Sequence, residues 1–300
     1  MAIMTKTAST PDRPVLVLGA TGTLGLPVVR EFGAAGVPVR ALVRDTDRAA
    51  AILGPQVERV PGDVRDPDAV RTALAGCAGA YLSLRSTEGF EPADSAELIG
   101  LRNVLGAARH QTLDWIACIS GAGDLARYAH LPPLRIKYQM EQLLRNSGLP
   151  YTVFKPTHFM ESLPLFVRQG RASIPGRQRR LYHYLAARDY ARIVVQSFVR
   201  REHIDSKLTV LGPAAYTMRQ ALEIYADICL PRKGVGQVPL PLLRLLGTIG
   251  GDPQLRMVHT LFKTFAQVDS ETDDGAEVIV PEAPLRLEDW CRLQLTTAAA

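Results

Sequence analysis

The chain has 300 residues, a formal net charge of +5, 47% hydrophobic and 22% charged residues. This supplies ample apolar material for a core and excludes a disordered or collagen-like chain. The length predicts two domains, or one large α/β unit with an appendage. Mild basicity suits a polyanionic cofactor or a nucleic acid, but no nucleic-acid motif is present. The four cysteines, Cys77, Cys118, Cys229 and Cys291, form no C-x-x-C pair and no His/Cys cluster at zinc spacing. Free thiols in a reducing compartment and no metal site are expected. Met1 to Arg13 is polar, without an apolar signal core. The most apolar later stretch, Val238 to Ile249, is broken by Pro239, Pro241 and Arg244 and falls short of the ~20 residues of a bilayer span. A cytoplasmic protein without membrane insertion is expected.

In chain order, Val15 to Leu18 is a continuous apolar run, as for a strand buried on both faces. A glycine-rich turn follows, then a helix through Val28, Val29 and Phe32 that stops at Gly33 and Gly36. Strands are predicted at Val39 to Val43, Val57 to Val60, Ala80 to Leu84, Trp115 to Ile119 and Tyr151 to Phe154. Between them lie helices at Ala49 to Leu53, Asp66 to Ala75, Ser95 to Ala108 and Leu134 to Ser147, the second with Asp66 as cap and Pro67 in its first turn. The alternation implies a doubly wound parallel sheet.

Beyond Pro156 the pattern changes. Phe159 to Gln169 reads as helix, Arg171 to Arg180 as a basic loop, Asp189 to Phe198 as a helix that Asp189 caps, and Lys207 to Leu211 as a strand. Thr217 to Cys229 is amphipathic, Gln237 to Pro241 extended, and Leu242 to Leu246 helical. This half is expected to build no sheet alone and to pack over the open end of the first. The expected division is a flexible N-terminus at 1–13, a dinucleotide-binding domain at 14–156, a smaller, mostly helical substrate or partner region at 157–295, and a tail at 296–300.

The informative motif is Gly19-x-x-Gly22-x-x-Gly25 between a buried strand and a helix. There backbone N–H groups and the helix dipole favour a pyrophosphate. Gly19 permits the turn, Gly22 leaves room for phosphates, and Gly25 lets the helix approach the strand. Thr21, Thr23 and Leu24 complete the loop, and Leu82, on the fourth strand, joins the candidate contacts. An acid ending the second strand would suit the ribose hydroxyl of NAD. Here Arg44 suits the 2′-phosphate of NADP, worth about 1.5–3 kcal/mol, although Asp45 lies beside it. Asp63 and Val64, after the third strand, are candidates for the adenine, Asp63 otherwise as a helix cap. NADP(H) is expected ahead of NAD(H).

Gly19-Ala-Thr-Gly-Thr-Leu-Gly25 with Arg44 resembles the NmrA-like atypical short-chain dehydrogenases. So does Lys137-x-x-x-Glu141 followed by Ser147-Gly-Leu-Pro-Tyr-Thr152 and then Phe159-Met160-Glu161. Lys155-Pro156 stands where that family usually has Arg-Pro. The resemblance implies a Rossmann fold, Pro156, Thr157 and Phe159 near the nicotinamide, and Lys137 near its ribose. Standard short-chain dehydrogenases place a proton-donating tyrosine four residues before the lysine. Here that position is Pro133, and Tyr128 and Tyr138 are off the spacing. Ser120, Lys137 and His158 are the remaining candidates for catalysis, His158 as a group titrating near the working pH.

Lys137 and Glu141, one helical turn apart, could equally form a surface ion pair. The cluster Arg177, Arg179 and Arg180 could face an acidic partner or simply be solvated. Leu211-Gly212-Pro213, Tyr216-Thr217 and Val238 to Leu243 resemble the branch containing a mitochondrial complex I accessory subunit and a photosystem assembly factor. That branch implies scaffolds that bind NADP. Two readings follow: an NADPH-dependent reductase of a small carbonyl, enone or quinone, or a redox sensor or scaffold with a protein partner. A homo-oligomer is compatible with either.

Overall fold

In the first strand, β1 (Val15–Leu18), Val15 and Val17 face one side and Leu16 and Leu18 the other, and all four are fully buried. The period of two thus meets a core on each face. The structure, a computed structural model, describes residues 12–85, 91–231, 234–251, 253–268, 271–272 and 274–298. The first half adds β2 (Val39–Val43), β3 (Glu58–Pro61), β4 (Gly79–Leu82), β5 (Trp115–Ile119) and β6 (Tyr151–Pro156). Its helices are α1 (Gly25–Ala34), α2 (Thr46–Leu53), α3 (Pro67–Leu74), α4 (Ala96–Ala108) and α5 (Pro132–Arg145). The predicted cap of α3 forms, Asp66 accepting from Asp68 N–H at 2.9 Å, and Ser95 caps α4 by accepting from Leu98 N–H at 3.4 Å.

The second half supplies β7 (His158–Phe159), a 3-10 helix (Met160–Phe166), β8 (Val167–Arg168), β9 (Arg171–Pro175), β10 (Leu181–Leu185), β11 (Ser206–Val210), β12 (Ala215–Thr217), β13 (Val235–Val238) and β14 (Glu277–Ile279). Its α-helices are α6 (Ala187–Arg200), α7 (Met218–Cys229), α8 (Leu240–Ile249), α9 (Pro253–Phe265) and α10 (Leu287–Ala298).

The large sheet has eight strands in the order β14-β11-β6-β5-β4-β1-β2-β3, all parallel. This is the expected doubly wound Rossmann-type α/β architecture. Helices α1, α2 and α6 cover one face, where Phe32 and Phe198 meet edge to face at 5.6 Å. Helices α3, α4 and α5 cover the other. A third core joins β9, β10, α7 and α10 around Tyr184, Leu222 and Trp290.

The expectation that the second half forms no sheet is corrected. It builds two three-stranded sheets, β12-β10-β7 and β13-β9-β8, and lends β11 and β14 to the large sheet. The stretch Arg171 to Arg180, expected as a loop, opens with β9, whose Ala172 and Ile174 are buried. The helix expected from Phe159 to Gln169 is a short 3-10 turn, because Pro164 removes a backbone donor, and the chain then passes into β8. Helix α10 runs through Ala298, so 296–298 are helical rather than tail, while 299–300 lie outside the described residues. Of the expected N-terminal segment, 1–11 also lie outside them, and Arg13 pairs with Asp114 at 2.7 Å.

Candidate functional site

The carboxyl ends of β3, β2, β1, β4, β5 and β6 form one row, and their following residues are Gly62, Arg44, Gly19, Ser83, Ser120 and Thr157. The sheet order reverses between β1 and β4, which opens a crevice at this edge. Gly19 has φ +84°, and a Cβ there would stand 2.3 Å from the Ser83 carbonyl oxygen. A Cβ on Gly25 would stand 2.1 Å from the Gly19 carbonyl oxygen. Both positions therefore demand glycine. Gly22 N–H donates to the Gly19 carbonyl at 3.0 Å, closing the turn, and Gly22 itself is exposed. Thr21 and Thr23 are exposed, and Leu24 packs against the α1 core. No side chain caps α1 and its first turn holds no acid. Leu26 N–H is taken by the Gly22 carbonyl at 3.0 Å and Pro27 has none, so the helix offers an anion chiefly the positive end of its dipole. A dinucleotide pyrophosphate fits this loop.

Arg44 is exposed and has no hydrogen-bond or ion-pair partner among the described residues. Asp45 is committed elsewhere: its carboxylate accepts from Arg48 N–H at 2.9 Å and caps α2. That explains why α2 starts at Thr46 rather than at the expected Ala49. Asp63 accepts from Arg65 N–H at 2.9 Å, and the α3 cap is Asp66, not Asp63. Val64 is half-buried, its carbonyl accepting from Asn103 at 2.8 Å. The Leu82 side chain is fully buried in the core beneath α3 and α4.

On the other side of the crevice, Lys137 donates to Glu97 and to the Ile119 carbonyl, each at 3.2 Å. The alternative of a surface pair between Lys137 and Glu141 is not what forms, because Glu141 turns inward. It accepts the Ser120 hydroxyl at 2.7 Å and lies 3.5 Å from Lys155 Nζ. Lys155 is wholly buried, donates to the Gly123 carbonyl at 2.9 Å and pairs with Asp274. Lys207 approaches Asp274 at 3.3 Å. Burial alone would raise the Asp274 carboxyl, but the hydrogen bond and charge of Lys155, with Lys207, hold it below its ordinary value.

Glu271 and Asp274 thus reach back over the ends of β5 and β6. Gly123 N–H donates to the Glu271 carbonyl at 3.0 Å, and the Glu271 carboxylate holds His183 Nδ1 at 2.9 Å. Sequence reasoning missed this network. Its one signal was a lysine ending an otherwise apolar strand, Lys155.

Pro156 and Thr157 are buried, and the Thr157 hydroxyl donates to the His183 carbonyl at 2.7 Å. Phe159 packs edge to face on Tyr190 at 5.4 Å, and the Tyr190 hydroxyl meets that of Tyr81 at 2.9 Å. His158 turns away into an aromatic cluster, 4.1 Å from the Tyr182 ring and 5.3 Å from that of Phe265. Burial there lowers its imidazole to about 4. It is neutral at pH 7, which corrects the expectation of titration near the working pH. Pro133, four residues before Lys137, is buried, and so is Tyr128. Glu161 accepts from Ala187 N–H at 3.1 Å and from Trp290 at 3.0 Å. It therefore takes the capping place at α6 that was expected of Asp189. Asp189 instead accepts from Leu285 N–H at 2.7 Å.

Residues 19–203, more than half of the chain, match the protein family described as NAD(P)H-binding. The chain belongs to this family. The NmrA-like resemblance stands with it, and NAD(P)H is the cofactor the loop accommodates. Within the family's reach, the photosystem II assembly factor Ycf39 of Cyanophora paradoxa is 27% identical over 245 residues, 77% of this chain and 73% of that protein. The NAD(P)H azoreductase of Xenophilus azovorans is 26% identical over 208 residues, 67% of this chain and 68% of that one. Among solved structures, the NADPH-dependent quinone oxidoreductase QOR2 of Escherichia coli, complexed with NADPH, superposes with a TM-score of 0.69 at 21% identity. The overlap covers 94% of this chain and 99% of that one, and the likeness is one of fold. Among the described residues no helix is long and apolar enough to cross a membrane, and no group of three metal-binding side chains is found.

Proposed function

We propose that the protein is an NADPH-dependent reductase of a small carbonyl, enone or quinone, working without the usual catalytic tyrosine. The observation that carries the cofactor reading is the division of labour at the end of β2. Asp45 is spent as a helix cap, and the unpartnered Arg44 guanidinium is left for a 2′-phosphate. When bound, NADPH supplies a hydride. Gly19 to Gly25 hold the pyrophosphate, and Asp63 and Val64 flank the adenine. Two of the three Lys137 ammonium protons are engaged by Glu97 and the Ile119 carbonyl. The third is available to a ribose hydroxyl. Pro156, Thr157 and Phe159 wall the nicotinamide end. The Ser120 hydroxyl donates its hydrogen bond to Glu141, so it does not serve a substrate as a donor. A quinone, whose reduced oxygens take protons readily from water, is therefore the preferred acceptor class. The azoreductase relative supports a reductase reading.

A second reading is a protein that binds NADP(H) and assembles with a protein partner. Pro133 in place of the proton donor and the committed Ser120 hydroxyl favour it, as does the Ycf39 relative. Titrating the purified protein with NADPH by nicotinamide fluorescence, then adding quinones, enones and aldehydes while following nicotinamide absorbance, separates the two. Oxidation by any acceptor is the expected result. Tight binding without turnover across the panel moves the assignment to the second reading.

A further inference from the structure

Helix α8 carries Leu242, Leu245, Leu246 and Ile249, the i, i+3, i+4, i+7 spacing of one helical face. That face points outward: the four are 43%, 53%, 48% and 77% exposed. The opposite face is sealed. Leu243 is buried, and Gly247 packs so closely on α9 that a Cβ there would stand 3.0 Å from Arg256 Cγ. The aliphatic stripe is therefore not a core face caught half open, because α8 already has a packed side and this is the other one. A contiguous exposed patch of this kind marks a contact surface.

Charge distinguishes what it contacts. Residues 162–188 and 228–268 together contain eleven Lys and Arg and a single acid, Asp252, which lies outside the described residues. The remaining chain holds 24 basic and 29 acidic residues, so the protein's positive charge is concentrated in these two stretches. They also meet in space. β9 pairs with β13, Gly176 N–H donates to the Val238 carbonyl at 2.8 Å, and a Cβ on Gly176 would stand 2.7 Å from Leu240. The turn bearing exposed Arg177 and Arg179 thus adjoins the start of α8. Arg244, Arg256 and Lys263 are exposed on the hairpin itself. Burial, with the charges of Arg244 and Lys263, lowers the His259 imidazole between them.

We propose that the α8–α9 hairpin docks the protein onto an anionic lipid surface, with the leucine stripe of α8 in the headgroup layer and Arg177 and Arg179, on the turn beside the start of α8, against lipid phosphates. An interfacial amphipathic helix combines these two features, an aliphatic face and a basic border. A second copy of the chain is disfavoured, since two such faces would bring like charges together. The inference does not rest on the enzymatic reading, since none of these residues belongs to the dinucleotide crevice.

The test is co-sedimentation of the full chain with vesicles of phosphatidylcholine alone and of phosphatidylcholine mixed equally with phosphatidylglycerol, at low and high salt. The expected result is binding to the mixed vesicles at low salt, weakened by salt and absent on phosphatidylcholine alone. The pairs L245E/I249E and R177E/R179E should each weaken vesicle affinity about tenfold or more. NADPH affinity should stay unchanged, which shows that the variants fold. Wild-type protein left in the supernatant, or vesicle binding by both variants as tight as that of the wild type, overturns the proposal. So does light scattering that shows a dimer split by L245E/I249E, which would assign the stripe to a second copy.

Discussion

Ser120 donates its hydroxyl proton to Glu141 across 2.7 Å, and Glu141 in turn lies 3.5 Å from the ammonium of Lys155. The serine at the end of β5 is thus tied into the interior instead of being aimed at a substrate. Ser120→Ala removes one partner of a buried carboxylate and should cost about 1–3 kcal/mol in urea unfolding. Turnover of a quinone with NADPH should change by less than about tenfold, an effect under about 1.4 kcal/mol. A loss of turnover beyond about a hundredfold with unaltered stability would make Ser120 a substrate donor and defeat this account.

Arg44→Ala should weaken NADPH binding by roughly 10- to 100-fold, the loss of about 1.5–3 kcal/mol of charge-assisted hydrogen bonding. NADH carries no 2′-phosphate, so its affinity should stay nearly constant. Fluorescence titration with both nucleotides decides, and equal loss for the two would remove Arg44 from the phosphate site.

Two glycines of α1 should respond in opposite directions to the same substitution. At Gly25 a methyl group meets the Gly19 carbonyl oxygen at 2.1 Å, whereas at Gly33 nothing stands within 4 Å. Gly25→Ala should open the loop, destabilise the protein and abolish binding of both nucleotides. Gly33→Ala should stabilise by about 0.4–1 kcal/mol, because alanine loses less backbone freedom on folding. Thermal unfolding of the two variants reads both effects, and normal cofactor binding by Gly25→Ala would refute the tight-turn argument.

The His158 imidazole, pushed down by burial from its ordinary 6.5 to about 4, links stability to pH. In the unfolded chain it takes up a proton near 6.5, and in the folded chain only near 4. Stability therefore falls as the pH drops through that window, by up to about 3 kcal/mol. His158→Phe keeps a ring against Tyr182 and removes the titration. Urea unfolding at several pH values should show a flatter profile for the variant, and parallel profiles would place the dependence on other groups.

The first half was legible because its signals are local. Val15 to Leu18 form an unbroken apolar run, Asp66-Pro67 opens a helix, and the glycine spacing fixes the turn between β1 and α1. The signals that failed depend on distant partners. β10, Leu181–Leu185, alternates as a strand should, yet it follows a basic run that reads as loop, and it pairs with β7 and β12. β14 has three residues, and only the edge of β11 makes it a strand. Lys155 reads as a substitute for arginine in a family motif. Its burial follows from Asp274, 119 residues further on, and no local pattern announces that acid. The tight turn from Gly19 to Gly25 could be read for the same reason, while the pairings of Lys137, Ser120 and Glu141 could not.

The bond between Lys155 and Asp274 also has a direction in time. A chain is made from its N-terminus and its domains fold largely in that sequence. When β6 leaves the ribosome, its lysine enters an apolar sheet whose counter-charge has not been synthesised, and the neighbouring edge still awaits β11 and then β14. The nascent dinucleotide-binding half therefore waits for a residue 119 positions further along the chain. A premature stop ahead of Asp274 yields no smaller cofactor-binding protein, but a sheet with an open edge and an uncompensated cation in its interior.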